Sequence, residues 1–188
     1  MFSDKELIFT AETTPDLSMN LESSVNKIIP LVGLADAVNV TDSPNCKTKL
    51  SSILVAAEIK KKELDVILQL TGRDRNRIAI ESEIIGAASI DINKVLCLTG
   101  DQPGENGPKA VNEFNGASLI ELINSLNSGK ITSNISLNSS LDATSLKLLS
   151  FVIFIISEKI LSFESLSIPG MFFFITLIVS LSFSKFLY

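Results

Sequence analysis

Four short apolar runs alternate with helix-like patterns over residues 7–126 of this 188-residue chain. Alternation at this spacing predicts right-handed βαβ units and therefore a parallel sheet, the organisation of an α/β protein. The strand cores are mostly apolar rather than alternating, as strands covered on both faces should be. The predicted strands span 7–11, 35–40, 65–70 and 93–98, and the predicted helices span about 21–29, 47–61, 75–88 and 117–126.

Polar residues close each of the four predicted strands. Ligands of α/β proteins sit in the loops just past the carboxyl ends of parallel strands, which meet at one edge of the sheet. We therefore expect one shared site, centred on the stretch Val95–Pro103 because it delivers a carboxylate where the chain leaves the sheet. The polar segments that follow the strands are Glu12, Thr41–Asp42, Thr71–Asp74 and Thr99–Asp101.

The composition excludes several classes of protein. The formal net charge is −5, so the basic face that a nucleic-acid partner requires is not expected. Histidine, the commonest general base and metal ligand, is absent, which argues against a zinc hydrolase and a Ser-His-Asp enzyme. No residue is assigned as a metal ligand. The two cysteines, Cys46 and Cys97, make no disulfide framework and are interpreted as core or surface residues.

The absence of two glycine-rich motifs restricts the possible folds further. No G-x-G-x-x-G sequence follows the first predicted strand, and no G-x-x-x-x-G-K-[ST] sequence occurs, so a dinucleotide-binding doubly wound sheet is not favoured. Four βα units with polar strand ends fit the first half of a (β/α)8 TIM barrel. A complete barrel typically needs about 250 residues. The sequence therefore predicts a partial barrel over residues 1–130.

Residues 131–188 differ from the rest and are predicted to form a Ser/Asn-rich linker and an apolar helical tail. Eight of the eleven phenylalanines follow Ser150. The stretch 171–183 is almost wholly apolar and approaches the roughly 20 residues of a membrane span. Three interpretations stay open: membrane helices with membrane contact through 146–186, out-of-frame translation, or a tail that covers the open barrel edge. The N-terminus carries no signal-peptide pattern, so we expect a cytoplasmic location, with membrane attachment through the tail as the alternative.

Four motifs together resemble the methylenetetrahydrofolate reductase family. The resemblance covers about residues 7–126, the N-terminal half of a family member, and leaves the later part unmatched. It implies a TIM barrel that binds FAD and reduces 5,10-methylenetetrahydrofolate to 5-methyltetrahydrofolate with electrons from NAD(P)H, a step of one-carbon and methionine metabolism. The motif segments are Phe9–Pro15, Asp36–Asp42, Gln69–Arg77 and Leu98–Asp101.

The resemblance also implies roles for particular residues. Glu12 stands at the glutamate of the family's Glu-x-x-Pro motif and is expected to be the general acid that protonates the folate ring nitrogen. Asp101 stands at the aspartate of the Gly-Asp motif, between flavin and folate, and is expected to be both catalytic and cofactor-binding. Gln69 and Thr99 stand where some members have histidine and arginine. The remaining positions expected to line the flavin are Thr41, Gln69, Thr99 and Gly100.

Other charged residues near the strand ends have simpler interpretations. Asp42 and Asp74 are expected to be turn and cap residues. The three arginines of the third motif resemble a phosphate clamp, but we favour salt bridges at the barrel rim; they are Arg73, Arg75 and Arg77.

Two functions other than a working reductase remain open from the sequence. One is an inactive truncated or frameshifted fragment, and the other is a membrane-attached module without catalysis. The expected partner is a folate substrate, and homo-oligomerisation is left open.

Overall fold

Four parallel strands lie side by side in the order in which the chain makes them. The computed structural model describes residues 8–128 and the backbone of 151–152 and 176–178. Strand β1 pairs with β2, β2 with β3, and β3 with β4, all in parallel. The predicted parallel α/β sheet is thus confirmed, and its order is consistent with the start of a TIM barrel. The strands are β1 (Ile8–Thr13), β2 (Ala37–Val40), β3 (Asp65–Thr71) and β4 (Lys94–Leu98).

A helix follows each of these strands, as predicted. Helices α3 and α4 begin at asparagine caps, because the Asn76 and Asn115 side chains accept hydrogen bonds from Ala79 N and Ser118 N. Asn20 caps the first helix in the same way, because its side chain accepts from Ser23 N. The helices are α1 (Leu21–Asn26), α2 (Ser52–Lys60), α3 (Arg77–Ser89) and α4 (Gly116–Asn127), with 3-10 turns at Ile29–Leu31 and Pro44–Cys46.

The two faces of the sheet have different surroundings. Side chains on the outer face pack against the helices in two clusters, one centred on Val38, Leu68 and α2 and the other on Leu70, Val95 and α4. The inner face has a small apolar cluster of Ala37, Ile67 and Leu96. Because side chains alternate along a strand, Glu12, Asn39 and Gln69 also lie on this inner face, nearer its carboxyl edge.

Two short strands flank the four-stranded sheet. Strand β5 (Phe151–Val152) pairs in parallel with β4, and β6 (Thr176–Ile178) pairs antiparallel with β1. These five residues form strands within residues 131–188, where a linker and an apolar helical tail were predicted, and the other residues of that range lie outside the described part. Within the described ranges, no helix has the length and apolar character to cross a membrane.

Candidate functional site

The structure brings Glu12 and Gln69 together on the inner face. Glu12 lies within β1 rather than after it, and its Cα partner on β2 is Asn39. Gln69 lies two residues before the end of β3. The Gln69 side chain reaches across β2, and its Nε2 donates a hydrogen bond to Glu12 Oε2 at 3.0 Å. An exposed carboxylate is therefore fixed in position at the carboxyl edge of the sheet.

Asn39 forms the floor beneath this pair. Its side chain is 4% exposed, and its Nδ2 donates to Thr10 Oγ1 at 3.3 Å and to the Ala11 carbonyl at 3.2 Å. Among the described residues, Asn39 Oδ1 has no hydrogen-bond partner. A buried acceptor without a partner costs about 1–3 kcal/mol. Asn39 had no predicted role, although it is the one polar residue in the otherwise apolar strand β2.

Thr41 and Asp42 lie just past β2, and both are buried. The Thr41 hydroxyl donates to Thr14 Oγ1 at 3.0 Å. Asp42 Oδ2 accepts from Thr71 N, Thr71 Oγ1 and the Arg75 guanidinium at 2.9, 3.0 and 2.6 Å. The prediction of a turn or cap role for Asp42 is therefore wrong, because the strand register places it beside the end of β3, where it fastens the two strands together.

Arg73 joins three loops at this edge. Its side chain is 2% exposed. Its Nη2 donates to the Ser43 carbonyl at 3.1 Å, and its Nη1 donates to the Asp101 carbonyl at 3.4 Å. Its Nε and Nη2 also bind the Asp74 carboxylate, and this hydrogen bonding holds the pKa of Asp74 below its usual range. Asp74 is thus an ion-pair partner, not a cap.

The predicted rim salt bridges of the three arginines are confirmed. Each arginine has a carboxylate partner within 4 Å, which favours salt bridging over a phosphate clamp. The pairs are Arg73 with Asp74, Arg75 with Asp42, and Arg77 with Glu81.

Thr99 and Gly100 shape the chain as it leaves β4. Thr99 Oγ1 accepts from Gly116 N at 3.1 Å, which satisfies a backbone donor at the start of α4. Gly100 has φ +91°, and a Cβ atom there would lie 2.9 Å from Arg73 Cβ and 3.2 Å from Thr71 Cβ. The glycine of the Gly-Asp motif is therefore required by both its backbone conformation and its close approach to the third loop.

Asp101 binds the turn that follows β2. Its Oδ2 accepts a hydrogen bond from Asn45 N at 2.5 Å, and Cys46 Sγ donates to the Asp101 carbonyl at 3.2 Å. Ser43, Asn45 and Cys46 all have left-handed φ angles, of 47°, 55° and 56°. Among the predicted site residues, Glu12 contacts Gln69, whereas Asp101 contacts the turn after β2.

The two cysteines differ in chemistry. Cys97 lies on the outer face of β4 against the second core cluster, and burial raises the pKa of its thiol to about 12. It is a core residue, as predicted. Cys46 lies in the turn that contacts Asp101, and sequence reasoning assigned it no part in the site. In the described part of the chain, no cluster of three or more carboxylate or thiol ligands could hold a metal ion.

Comparison with known proteins identifies the family. The family model described as methylenetetrahydrofolate reductase matches residues 2–139. The chain belongs to this family. No curated protein matches the sequence. The resemblance inferred from four motifs is confirmed, but the family match continues past residue 126, where the motifs stopped giving a signal.

Methylenetetrahydrofolate reductases are generally flavin-dependent. A flavin ring carries a ring N–H donor between two carbonyl groups. The inner face of this family member offers a buried acceptor without a described partner at Asn39, below the carboxylate of Glu12 and the amide of Gln69. Asn39, Glu12 and Gln69 are therefore residues that would fit the polar edge of a flavin ring.

Proposed function

We propose that this chain binds FAD at the carboxyl edge of its sheet and reduces 5,10-methylenetetrahydrofolate to 5-methyltetrahydrofolate with electrons from NAD(P)H. Family membership supports the class of reaction. The observation that carries the proposal is the hydrogen bond from Gln69 to Glu12, which fixes an exposed carboxylate where the ligands of such sheets bind. When bound and reduced by NAD(P)H, the flavin would supply the hydride.

Glu12 is the proposed proton donor. The methylene carbon of the substrate accepts hydride only after its five-membered ring opens to an iminium, and opening requires a proton on the ring nitrogen. Gln69 occupies Glu12 Oε2, so we assign the transferred proton to Oε1. A positioned general acid of this kind contributes typically about 10²–10⁴-fold to the rate.

Asp101 is the proposed electrostatic partner of the reaction. Its negative charge would stabilise the cationic iminium, and it would disfavour negative charge on a neighbouring flavin ring. The Asn45 N–H holds one carboxylate oxygen of Asp101 in a defined orientation. The remaining residues proposed to line the flavin are Thr41, Gln69, Thr99 and Gly100.

The test is a visible absorption titration of the purified chain with FAD. Binding should shift and sharpen the flavin bands. In the flavin-loaded protein, Glu12→Gln should lower folate reduction by about 10²–10⁴-fold while FAD affinity stays the same. Glu58→Gln is the matched control, because this helix α2 carboxylate pairs with Lys61 away from the site. Asp101→Asn should weaken both FAD binding and turnover.

A chain that leaves the FAD spectrum unchanged would contradict this function. It would favour the alternative of a protein that carries the family motifs without activity. The proposed partner is a folate, with no nucleic acid, and the proposed location is cytoplasmic. Carbonate extraction of membranes separates that location from membrane attachment, and sedimentation reports whether the chain forms a homo-oligomer.

A further inference from the structure

We infer that Asn39 is a ligand-binding residue whose side-chain oxygen accepts a hydrogen bond from a ring N–H of the bound heterocycle. This inference rests on the proposed function and deepens it. No motif of the family resemblance includes a role for this residue. The orientation of the Asn39 amide, its burial and its neighbours support this role.

The orientation of the amide is fixed by its partners. The Ala11 carbonyl can only accept a hydrogen bond, so the group of Asn39 that faces it at 3.2 Å must be the NH2. Thr10 Oγ1 accepts from the same nitrogen. Both donors of the amide are thus directed towards β1, and Oδ1 is the group left over.

Because Asn39 is buried, the lack of a described hydrogen-bond partner for its side-chain oxygen points to a bound group. Native proteins pair the large majority of their buried polar atoms, and an exception calls for a bound water, an ion or a ligand. Asn39 is 4% exposed, and its Oδ1 has no hydrogen-bond partner in the described ranges. The neighbouring inner-face residue on β1, Glu12, is exposed, so the face opens to solvent one strand away.

The neighbours of Asn39 define the chemistry of the ligand. Glu12 and Gln69 supply a carboxylate and an amide above a buried carbonyl acceptor. A ring N–H next to a carbonyl group complements this set, because it donates to Asn39 while its carbonyl remains for the amide. The imide edge of a flavin and the lactam edge of a reduced pterin both carry this group.

The first experiment compares FAD with FAD methylated on the imide nitrogen. Wild-type protein should bind FAD at least about tenfold more tightly than the methylated analogue, a loss typical of one buried hydrogen bond. Asn39→Leu, which keeps the volume and removes the acceptor, should bind both weakly and equally. Thr10→Val is the matched control, because it removes one partner of the NH2 group and leaves Oδ1 unchanged.

The second experiment tests whether the ring N–H that binds Asn39 belongs to the pterin of a folate instead of the flavin. FAD-loaded wild-type and Asn39→Leu proteins are titrated with 5-methyltetrahydrofolate. A tenfold loss of folate affinity with unchanged flavin discrimination would support the pterin as the donor. Unchanged binding of both ligands in folded Asn39→Leu protein would overturn the inference. Wild-type protein that binds no FAD would instead overturn the proposed function.

Discussion

At the scale of single residues, Gly100 is held by two constraints at once. Its φ of +91° is a conformation that side chains disfavour, and its neighbour Arg73 leaves no room for a Cβ atom. We expect Gly100→Ala to lower the free energy of unfolding by about 2–4 kcal/mol, the sum of backbone strain and a clash in a tightly packed place. Urea denaturation followed by circular dichroism measures this change.

Gly33 is the matched control for this prediction. Its φ is +80°, but a Cβ atom there would meet nothing within 4 Å. Gly33→Ala should therefore cost only the backbone part, about 1 kcal/mol. Equal losses at the two glycines would show that the approach of Arg73 to Gly100 contributes nothing.

The lowered pKa of Asp74 makes the free energy of unfolding depend on pH. The hydrogen bond from Arg73 lowers the pKa of Asp74 in the folded state, so its contribution is complete above the ordinary value of 3.8 and is lost as the pH falls through the lower folded value. Its carboxylate is 39% exposed, so solvent screening limits this contribution to about 1 kcal/mol.

The Asp74→Asn variant tests this dependence. Its urea midpoint should lie below that of the wild type at pH 7, and the difference should shrink as the pH approaches 2. The same substitution at Asp16 provides a comparison, because Lys27 lowers its pKa in a loop outside the site. A difference that grows on acidification would contradict the Arg73–Asp74 interpretation.

At the scale of elements, helix α2 shows where sequence patterns were insufficient. A helical period over 47–61 would put Leu50, Ile53, Leu54 and Ala57 on one face. In the structure, Val55, Ala56 and Ile59 are buried against the sheet, whereas Leu54 is 52% exposed. Six of the first eight residues of α2 are apolar, so the helical period does not select a face. The choice is made by packing on β2 and β3.

Two substitutions in α2 test that packing. Ile59→Ala should reduce the free energy of unfolding by about 2–5 kcal/mol, because Ile59 is fully buried in the first core cluster. Leu54→Ala should change it by less than about 1 kcal/mol, as is usual for an exposed position. Chemical denaturation of both variants gives the comparison, and similar losses would place Leu54 in the core.

The strands themselves were predicted more closely than the helix faces. Residues 65–70 and 93–98 were predicted, and Asp65–Thr71 and Lys94–Leu98 are observed. Apolar runs bounded by polar segments locate buried strands well. Glu12 was placed after β1 but lies inside it, because pairing with β2 extends the strand to Thr13. The sequence of a strand does not by itself specify which strand it pairs with or how far that pairing extends.

At the scale of the whole molecule, ligand binding and folding should be linked. A ligand that binds only the folded state raises the free energy of unfolding, by about 2.7 kcal/mol when its free concentration is 100 times its Kd. We therefore expect FAD to raise the urea midpoint of this chain in a concentration-dependent way. Adenosine monophosphate, which lacks the flavin ring, is the control. An unchanged midpoint at saturating FAD would contradict the proposed cofactor site.

The site was only partly predictable because its contacts cross between loops. The motif residues Glu12 and Gln69 were expected in one site, and their side chains do touch. Asn39 was missed because one asparagine in an apolar strand does not reveal that its side-chain oxygen has no hydrogen-bond partner among the described residues. Arg73 was assigned a rim salt bridge correctly, but its contacts to Ser43 and Asp101 depend on loop geometry.

The loops after β2, β3 and β4 therefore behave as one interlocked part, although barrel folds commonly diversify by changing one loop at a time. Arg73 binds the backbone of both neighbouring loops, and Asp101 binds the backbone of Asn45. Grafting a loop from another family member onto this scaffold should succeed only when the two neighbouring loops are replaced at the same time. For engineering, the unit of exchange at this edge is the three loops together.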